Sequence, residues 1–159
     1  MLDNHHEILQ LSARYALALD SGDDESWRAL FTPDFVMRGT SVGDRTLSDV
    51  ASLPSVQLAR YRKTFHLVGT QRVICEGNEG RGTVYCSAHH YAEVTHVGGR
   101  MPLDIAYVLD IVYEDRYRKT GAVWQFSERR LNLVSRRVYQ CTTPDAAASP
   151  GQSVPPDLA

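Results

Sequence analysis

The sequence predicts an α+β fold, with helices in the first third of the chain and an antiparallel sheet after them. Apolar residues recur at helical spacing at Ile8, Leu11, Tyr15 and Leu19, and the period changes to two from Thr64 onward. Short Gly-containing turns then separate four long strand-like segments. Helices first and strands later indicate a meander rather than alternating strand–helix units.

The helical part is predicted to contain two helices before the first strand. Asp3 or Asn4 can cap the first helix, and Gly22 suits its C-terminal end. Asp23 or Asp24 can cap a short second helix. This second helix is expected to contain Trp27, Leu30 and Phe31 and to stop at Thr32-Pro33-Asp34.

The remaining elements follow in order. A strand is predicted over 35–37, and a third helical stretch over about 46–62, which Pro54 is expected to interrupt. The four long strands are predicted at about 64–75, 82–97, 102–117 and 122–139. Residues 1–141 are therefore assigned to one domain. Residues 142–159, rich in Pro, Ala and Ser, are assigned to a mobile tail.

Composition and charge narrow the class of protein. The 159 residues suit one domain, and the net charge of −2 argues against a nucleic-acid binder. No apolar run approaches the roughly 20 residues that span a membrane, and the N-terminus has no signal-peptide pattern. Three scattered cysteines indicate a reduced, cytoplasmic protein, with Cys75 and Cys86 as small buried apolar residues.

Asp20 and His66 are the candidate catalytic residues. Asp20 lies at the end of an apolar helix, where the helix dipole disfavours a carboxylate, and His66 lies within an apolar strand. Each has an ordinary alternative: an exposed polar turn for Asp20, and a buried histidine bound to a backbone carbonyl for His66. As a pair they would form a general base with its orienting carboxylate.

Tyr15 is a candidate partner of this pair. It lies five residues before Asp20, about 140° round the helix, so the two side chains share a pocket only if the helix end unwinds. The phenol could donate a hydrogen bond to a substrate oxygen. The alternative is a core aromatic ring.

Several segments follow one another in a distinctive order: RYALALDSGD, Trp27, LFTPD, the H-x-x-G that begins at His66, the strand with Tyr85 and His89-His90, and the final W-x-F-x-x-R. This order resembles that of the SnoaL-like proteins of the nuclear transport factor 2-like superfamily. The resemblance covers roughly residues 5–138. It implies a curved antiparallel sheet wrapped around N-terminal helices, an α+β barrel shaped as a cone with an internal pocket.

The resemblance also implies roles for individual residues. Asp20 falls on the carboxylate and His66 on the base of an Asp–His dyad that abstracts protons without a cofactor, and Tyr15 falls on the tyrosine of the dehydratases. His90 resembles a second pocket histidine, and strict alternation places it on a more apolar strand face than His89. Trp27 is assigned to substrate binding.

The last strand offers one further anchor. Arg129 and Arg130 point to opposite faces, so one can enter the pocket as an anion or oxyanion anchor while the other is solvated. The family alignment favours Arg129. The alternative is that both lie on an exposed sheet edge.

These residues, together with what the resemblance implies, predict a cofactor-independent lyase or isomerase, of the dehydratase or cyclase type, that acts on a small, cyclic, mostly apolar substrate. Two alternatives stay open. One is a binding module or dioxygenase small subunit, as found within the superfamily. The other is an epoxide hydrolase-like enzyme, in which Asp110 or Asp104 supplies an additional carboxylate.

A homo-oligomer, dimer or trimer, is expected from the superfamily and from apolar residues on both faces of the third long strand. No metal-binding spacing is present, so no metal is expected.

Overall fold

The structure, a computed structural model, describes residues 4–41, 43–94 and 103–141. Asp3, the tail predicted over 142–159 and the side chain of Asp104 lie outside this part. The elements in chain order are α1 (Asn4–Ser21), α2 (Asp24–Arg28), β1 (Phe31–Arg38), β2 (Arg45–Thr46), α3 (Leu47–Val50), α4 (Leu53–Arg60), β3 (Lys63–Glu76), β4 (Glu79–Val94), β5 (Leu103–Thr120) and β6 (Val123–Cys141). The predicted α+β class is confirmed.

One six-stranded sheet runs in the order β2-β1-β6-β5-β4-β3. The four long strands form the predicted antiparallel meander. The sheet differs from the expected antiparallel barrel in two ways: β1 pairs with β6 in parallel, and the sheet is open, with β2 and β3 at its edges. The parallel pair arises because β1 enters from α2, not from a hairpin, so no tight turn forces it to run antiparallel to β6.

The second helix is shorter than predicted. Asp23 caps it as expected, because its Oδ1 accepts hydrogen bonds from the backbone N–H groups of Glu25 and Ser26. The helix ends at Arg28, and Phe31 begins β1, opposite Phe126 of β6. The prediction that this helix includes Leu30 and Phe31 is therefore wrong, since pairing with β6 outweighs local helical spacing.

The predicted interruption of the third helical stretch is confirmed. It divides into α3 and α4, with Pro54 in the first turn of α4, where its missing N–H costs no helical hydrogen bond. Gly22 follows α1 with a φ of 73°, as expected for a helix C-terminal glycine.

The sheet has an inner face, which packs against α1, and an outer face on the opposite side. Ile8, Leu11, Tyr15 and Leu19 of α1 are buried in the main apolar core, as their spacing predicted. A second apolar cluster lies on the inner face of the long strands and contains Val84, Cys86, Ala88, Ile111 and Tyr113. Cys86 is buried as expected, whereas Cys75 is only half-buried.

Candidate active site

The structure brings Asp20 and His66 into direct contact. Asp20 lies in the last turn of α1 and His66 near the start of β3, and Asp20 Oδ1 is 2.7 Å from His66 Nδ1. Asp20 Oδ2 accepts a 2.8 Å hydrogen bond from the backbone N–H of His66, and Oδ1 accepts another from the Thr64 hydroxyl at 2.8 Å. The carboxylate therefore fixes both the strand and the imidazole ring.

The electrostatics of Asp20 explain how a carboxylate is held at a helix C-terminus. Burial acts to raise its pKa, but the hydrogen bonds from the His66 ring, the His66 backbone and the Thr64 hydroxyl outweigh burial and lower the pKa. Asp20 is therefore an anion at neutral pH. Three donors offset the unfavourable helix dipole.

The His66 ring is oriented so that one nitrogen is committed and the other is available. An ionised Asp20 can only accept a hydrogen bond, so His66 Nδ1 must be the donor in this contact. In the neutral ring the proton is therefore on Nδ1 and the lone pair is on Nε2. Within the described residues, no hydrogen bond occupies Nε2. The His66 side chain is 4% exposed and Asp20 is 23% exposed, so the pair lies at the edge of the interior.

His90 lies beside the pair and adds a second imidazole. Its ring meets that of His66 edge-on, with the ring centroids 5.5 Å apart, and the Tyr61 ring centroid is 4.8 Å from that of His90. Burial first, and then the nearby His66, lower the pKa of His90 to about 4, although a hydrogen bond with the Tyr107 backbone acts to raise it. His90 is therefore neutral near pH 7.

A pH-dependent stability follows from His90. An unfolded histidine takes up a proton near pH 6.5, whereas folded His90 does so only near pH 4, so the unfolded state binds more protons in this window. We expect His90 to remove roughly 2–3 kcal/mol from the free energy of unfolding as the pH falls from about 6.5 to 4. Urea unfolding at several pH values measures this loss.

The control for this prediction is the next residue in the chain. His90→Gln should flatten the stability curve above pH 4, while His89→Gln, on the other face of β4, should leave its slope in place. The lowered pKa of Asp20 acts in the same direction, but mainly at lower pH. Equal slopes in wild type and His90→Gln would contradict the assignment.

Tyr15 and Arg129 lie together in the core rather than in hydrogen-bond contact with the dyad. The Arg129 guanidinium is fully buried, 4.0 Å from the ring centroids of Tyr15 and Tyr113, and it binds both carboxylate oxygens of Asp115 at 2.7–2.8 Å. Burial raises the pKa of Tyr15, so its phenol stays protonated. The expectation of Arg129 as a ligand anchor is corrected, because its charge is already paired and it has no exposed surface. Of the two arginines only Arg130 is exposed, so the alternative that both lie on an exposed sheet edge is wrong.

Trp27 has a structural position as well. It is fully buried, its indole N–H donates to the Val50 carbonyl at 2.9 Å, and its ring lies 4.5 Å from Tyr15. The assignment of Trp27 to substrate binding is therefore corrected: it has no exposed surface with which to contact a ligand, and it ties α2 to α3.

Asp110 lies on the outer face, away from the dyad. Directly paired strand residues share a face, so His66 and Ala88 point inward while Ser87 and Asp110 point outward. Asp110 accepts hydrogen bonds from Ser87, Ser135 and Arg137. This corrects the expectation that Asp110 supplies a pocket carboxylate. His89 points to the same outer face and bonds Ser87, which agrees with the preference for His90 over His89.

The surface next to His66 on the inner face is apolar. Ala88 is directly opposite His66, and the second apolar cluster continues across the sheet to the partly buried Val68, Leu109 and Leu131. Leu131 also lines a cavity of about 360 Å³ between the α3–α4 segment and β1 and β6. The other apolar residues of that cavity are Met37, Val50, Leu53 and Val56.

Several residues of the site were missed by the sequence analysis. Thr64 lies two residues before His66, on the same strand face, so alternation alone could have identified it as a donor to Asp20. Tyr61 and Tyr107 approach His90 from two distant segments, and Asp115 reaches Arg129 across β5 and β6. No local pattern reports these contacts.

The family of the chain follows from comparison with known proteins. Residues 1–130 match the SnoaL-like domain family, and the chain belongs to that family. No curated protein matches the sequence significantly.

Solved structures with this fold are distant in sequence. A type 2 hexachlorocyclohexane dehydrochlorinase (LinA) has 15% identity and a TM-score of 0.73, over 89% of this chain and 94% of that one. The type 3 LinA of Novosphingobium barchaimii has 15% identity and a TM-score of 0.68, over 96% and 94%. A provisionally named scytalone dehydratase of Novosphingobium aromaticivorans has 18% identity and a TM-score of 0.67, over 87% and 89%. At these identities the likeness shows the fold.

The described residues contain neither a membrane-spanning helix nor a metal-binding group of side chains. No helix among them is long and apolar enough to cross a membrane. In the same ranges, no group of three or more His, Cys, Asp or Glu side chains is placed to hold a metal ion. The expected homo-oligomer and the cytoplasmic location stay predictions.

Proposed function

We propose that this protein is a cofactor-independent lyase or isomerase in which His66 removes a proton from carbon and Asp20 orients and stabilises the imidazole. The observation that supports this proposal is the 2.7 Å contact between Asp20 Oδ1 and His66 Nδ1, which leaves Nε2 as the proton acceptor. General-base catalysis of this kind contributes about 10²–10⁴-fold in rate.

The chemistry proceeds from Nε2 of His66. As the substrate C–H bond breaks, its proton moves to Nε2 and its electron pair forms an enolate or a new double bond. In an elimination the leaving group departs with its bonding pair, and the proton on Nε2 passes to the leaving group or to solvent. Asp20 stabilises the imidazolium formed in between, and the low polarity around His66 strengthens that attraction.

The surroundings of the dyad support a small, cyclic, mostly apolar substrate. Ala88 and the rest of the second apolar cluster provide an apolar floor next to His66. Tyr61 and Tyr107 group with His90 at the other side, and aromatic rings of this kind pack well against flat ring systems. Neutral His90 can donate or accept a hydrogen bond at a substrate oxygen.

The names of the structural relatives agree with this class of reaction. A dehydrochlorinase and a dehydratase both carry out eliminations, and both share this fold with the chain. The hydrolase alternative loses Asp110, one of its two candidate carboxylates, since Asp110 faces outward. The other candidate, Asp104, has its side chain outside the described part of the structure. The binding-module alternative would have been favoured by an Asp20 beyond hydrogen-bond distance of His66, which is not the geometry found.

A substrate panel tests the proposal. Small cyclic ketones, β-hydroxyketones and chlorinated rings are incubated in D₂O without added cofactor, and ¹H NMR follows loss of C–H signals and appearance of alkene signals. We expect the wild type to convert or exchange at least one compound, and the Asp20→Asn/His66→Ala double variant to convert none.

Other outcomes separate the alternatives. Wild type and double variant behaving alike on every compound would contradict the lyase or isomerase proposal. Binding without conversion would favour the binding module, and incorporation of solvent oxygen-18 into product would favour the hydrolase.

A further inference from the structure

The outer face of the sheet has a groove that is unrelated to the dyad. Four arginines, Arg72, Arg81, Arg116 and Arg130, line it together with Glu114 and Thr83, and its volume is about 540 Å³. We call it the arginine groove. Its residues come from four adjacent strands: β3, β4, β5 and β6.

The strand register places these side chains in two neighbouring rows. Arg72, Thr83, Glu114 and Arg130 follow one another across the sheet in the first row. Ile74, Arg81, Arg116 and Glu128 form the second row, two residues along each strand and therefore on the same face. The groove is thus a continuous surface.

Two of the three groove carboxylates pair with arginines outside the groove, whereas the four groove arginines have no ion pair among the described residues. On one side Arg38 binds Glu128 and Asp44, and on the other Arg118 binds Asp34 and Glu79. Among the described residues, no carboxylate lies within ion-pair distance of the four groove arginines. Of the groove carboxylates, Glu114 alone forms no ion pair among the described residues, because Asp115 pairs with Arg129 and Glu128 pairs with Arg38.

The register also brings two of these arginines directly opposite each other. Arg81 and Arg116 are cross-strand partners in β4 and β5, an arrangement in which like charges repel. The chain as a whole is slightly acidic, with a net charge of −2, so this cluster is not a consequence of a basic composition. A bound anion would remove the repulsion.

We propose that the arginine groove binds a small ligand carrying at least two oxyanion groups, with phosphate esters as the chemical class. Guanidinium groups bind phosphate and carboxylate oxygens in bidentate geometry, and several of them around one depression favour a multivalent anion over a single charge. A volume of about 540 Å³ is within the usual range for small-molecule sites. Thr83 lies between Arg72 and Glu114 and can donate a further hydrogen bond.

The groove is separate from the proposed active site, because its side chains occupy the outer face and His66 the inner face. Binding at the groove is therefore measured directly, without an activity assay. Success or failure here does not depend on the function of the dyad.

An NMR titration with inorganic pyrophosphate tests the proposal. The full chain, ¹⁵N-labelled and in phosphate-free buffer of low ionic strength, is titrated with pyrophosphate, orthophosphate and citrate, with backbone amides and arginine Nε–H signals observed. We expect saturable shifts at the groove with a pyrophosphate Kd below about 1 mM, weaker binding of orthophosphate, and steep weakening with salt. Citrate binding more tightly than pyrophosphate would contradict phosphate esters as the chemical class and would assign the site to carboxylates.

Matched variants locate the site. The Arg81→Gln/Arg116→Gln double variant should weaken pyrophosphate binding by at least about 10-fold, because charged hydrogen bonds are lost. Glu114→Gln should tighten it by removing repulsion. Arg14→Gln, an exposed arginine on α1, should change it by less than about twofold, as expected for a distant screened charge.

Three results would overturn the proposal. The first is the absence of saturable chemical-shift changes at the groove up to about 10 mM pyrophosphate at low salt. The second is that Arg14→Gln weakens pyrophosphate binding as much as the double variant does. The third is that single-stranded oligonucleotides bind at the groove and pyrophosphate does not displace them. Circular dichroism and thermal unfolding of each variant confirm that the comparison is made between folded proteins.

Discussion

His66→Ala is expected to lower turnover by about 10²–10⁴-fold on any substrate that the wild type converts, while the fold is retained. The variant removes Nε2, the group that we propose takes the proton, and leaves Asp20 bound to the backbone N–H of residue 66 and to Thr64. Steady-state kinetics on the converted compound, with circular dichroism as the check on folding, measure the effect.

The matched control is a histidine on the neighbouring strand. His89→Ala removes the same side chain from the outer face of β4, where it bonds Ser87, and should leave turnover within about twofold, as is usual for substitutions away from a site. Asp20→Asn should resemble His66→Ala, because an asparagine amide can donate to Nδ1 and so select the wrong tautomer. An active His66→Ala protein would contradict the proposed mechanism.

Asp115→Asn is expected to reduce the free energy of unfolding by about 3–5 kcal/mol, because it leaves the Arg129 charge unpaired in the core. Both side chains are fully buried, and Tyr117 also donates to the Asp115 carboxylate at 2.9 Å. Burial acts to lower the pKa of Arg129, but in the wild type Asp115 and the neighbouring groups together outweigh burial and raise it. Without Asp115 the guanidinium still stays protonated, as arginine does throughout proteins, so deprotonation does not relieve the loss. Urea unfolding measures the difference.

Two comparisons test the cause of that loss. Replacing both partners, Asp115→Leu with Arg129→Met, should cost less than Asp115→Asn alone, because no unpaired charge remains. Arg118→Gln, which breaks an exposed pair with Asp34, should have a much smaller effect. A loss below about 1 kcal/mol in Asp115→Asn would show that the pair does not stabilise the core as described.

The elements that the sequence predicted well are those with long, regular patterns. The helical spacing of Ile8, Leu11, Tyr15 and Leu19 identified the buried face of α1. The alternation of apolar and polar residues predicted the ends of β3 to β6 to within three residues of those that the structure describes. Gly22 and Asp23 marked the end of α1 and the start of α2 because each satisfies a local backbone requirement.

The elements that the sequence predicted poorly depend on distant partners. Phe31 has helical spacing from Trp27, but its pairing with Phe126 places it in β1. The parallel contact of β1 with β6 joins segments about ninety residues apart, which no local period reports.

The candidate site shows the same division. Asp20 and His66 became candidates because each is unusual in its own segment and because the family resemblance pairs them, and the structure places them in contact. Trp27, Arg129 and Asp110 were assigned by their place in the chain, and the structure gives each a structural partner instead: Val50, Asp115, and the Ser87–Ser135 pair. A buried arginine that pairs with a carboxylate fourteen residues away has the same local sequence as one that binds a ligand.

The tautomer of His66 tests the central claim most directly. Long-range ¹H–¹⁵N correlation spectra of the neutral ring report which nitrogen carries the proton, and they require no substrate. The account predicts the proton on Nδ1, bound to Asp20, with Nε2 unprotonated, and a shift of the proton to Nε2 in Asp20→Asn. A wild-type ring protonated at Nε2, with Nδ1 bare, would contradict the account because no lone pair would remain to accept a substrate proton.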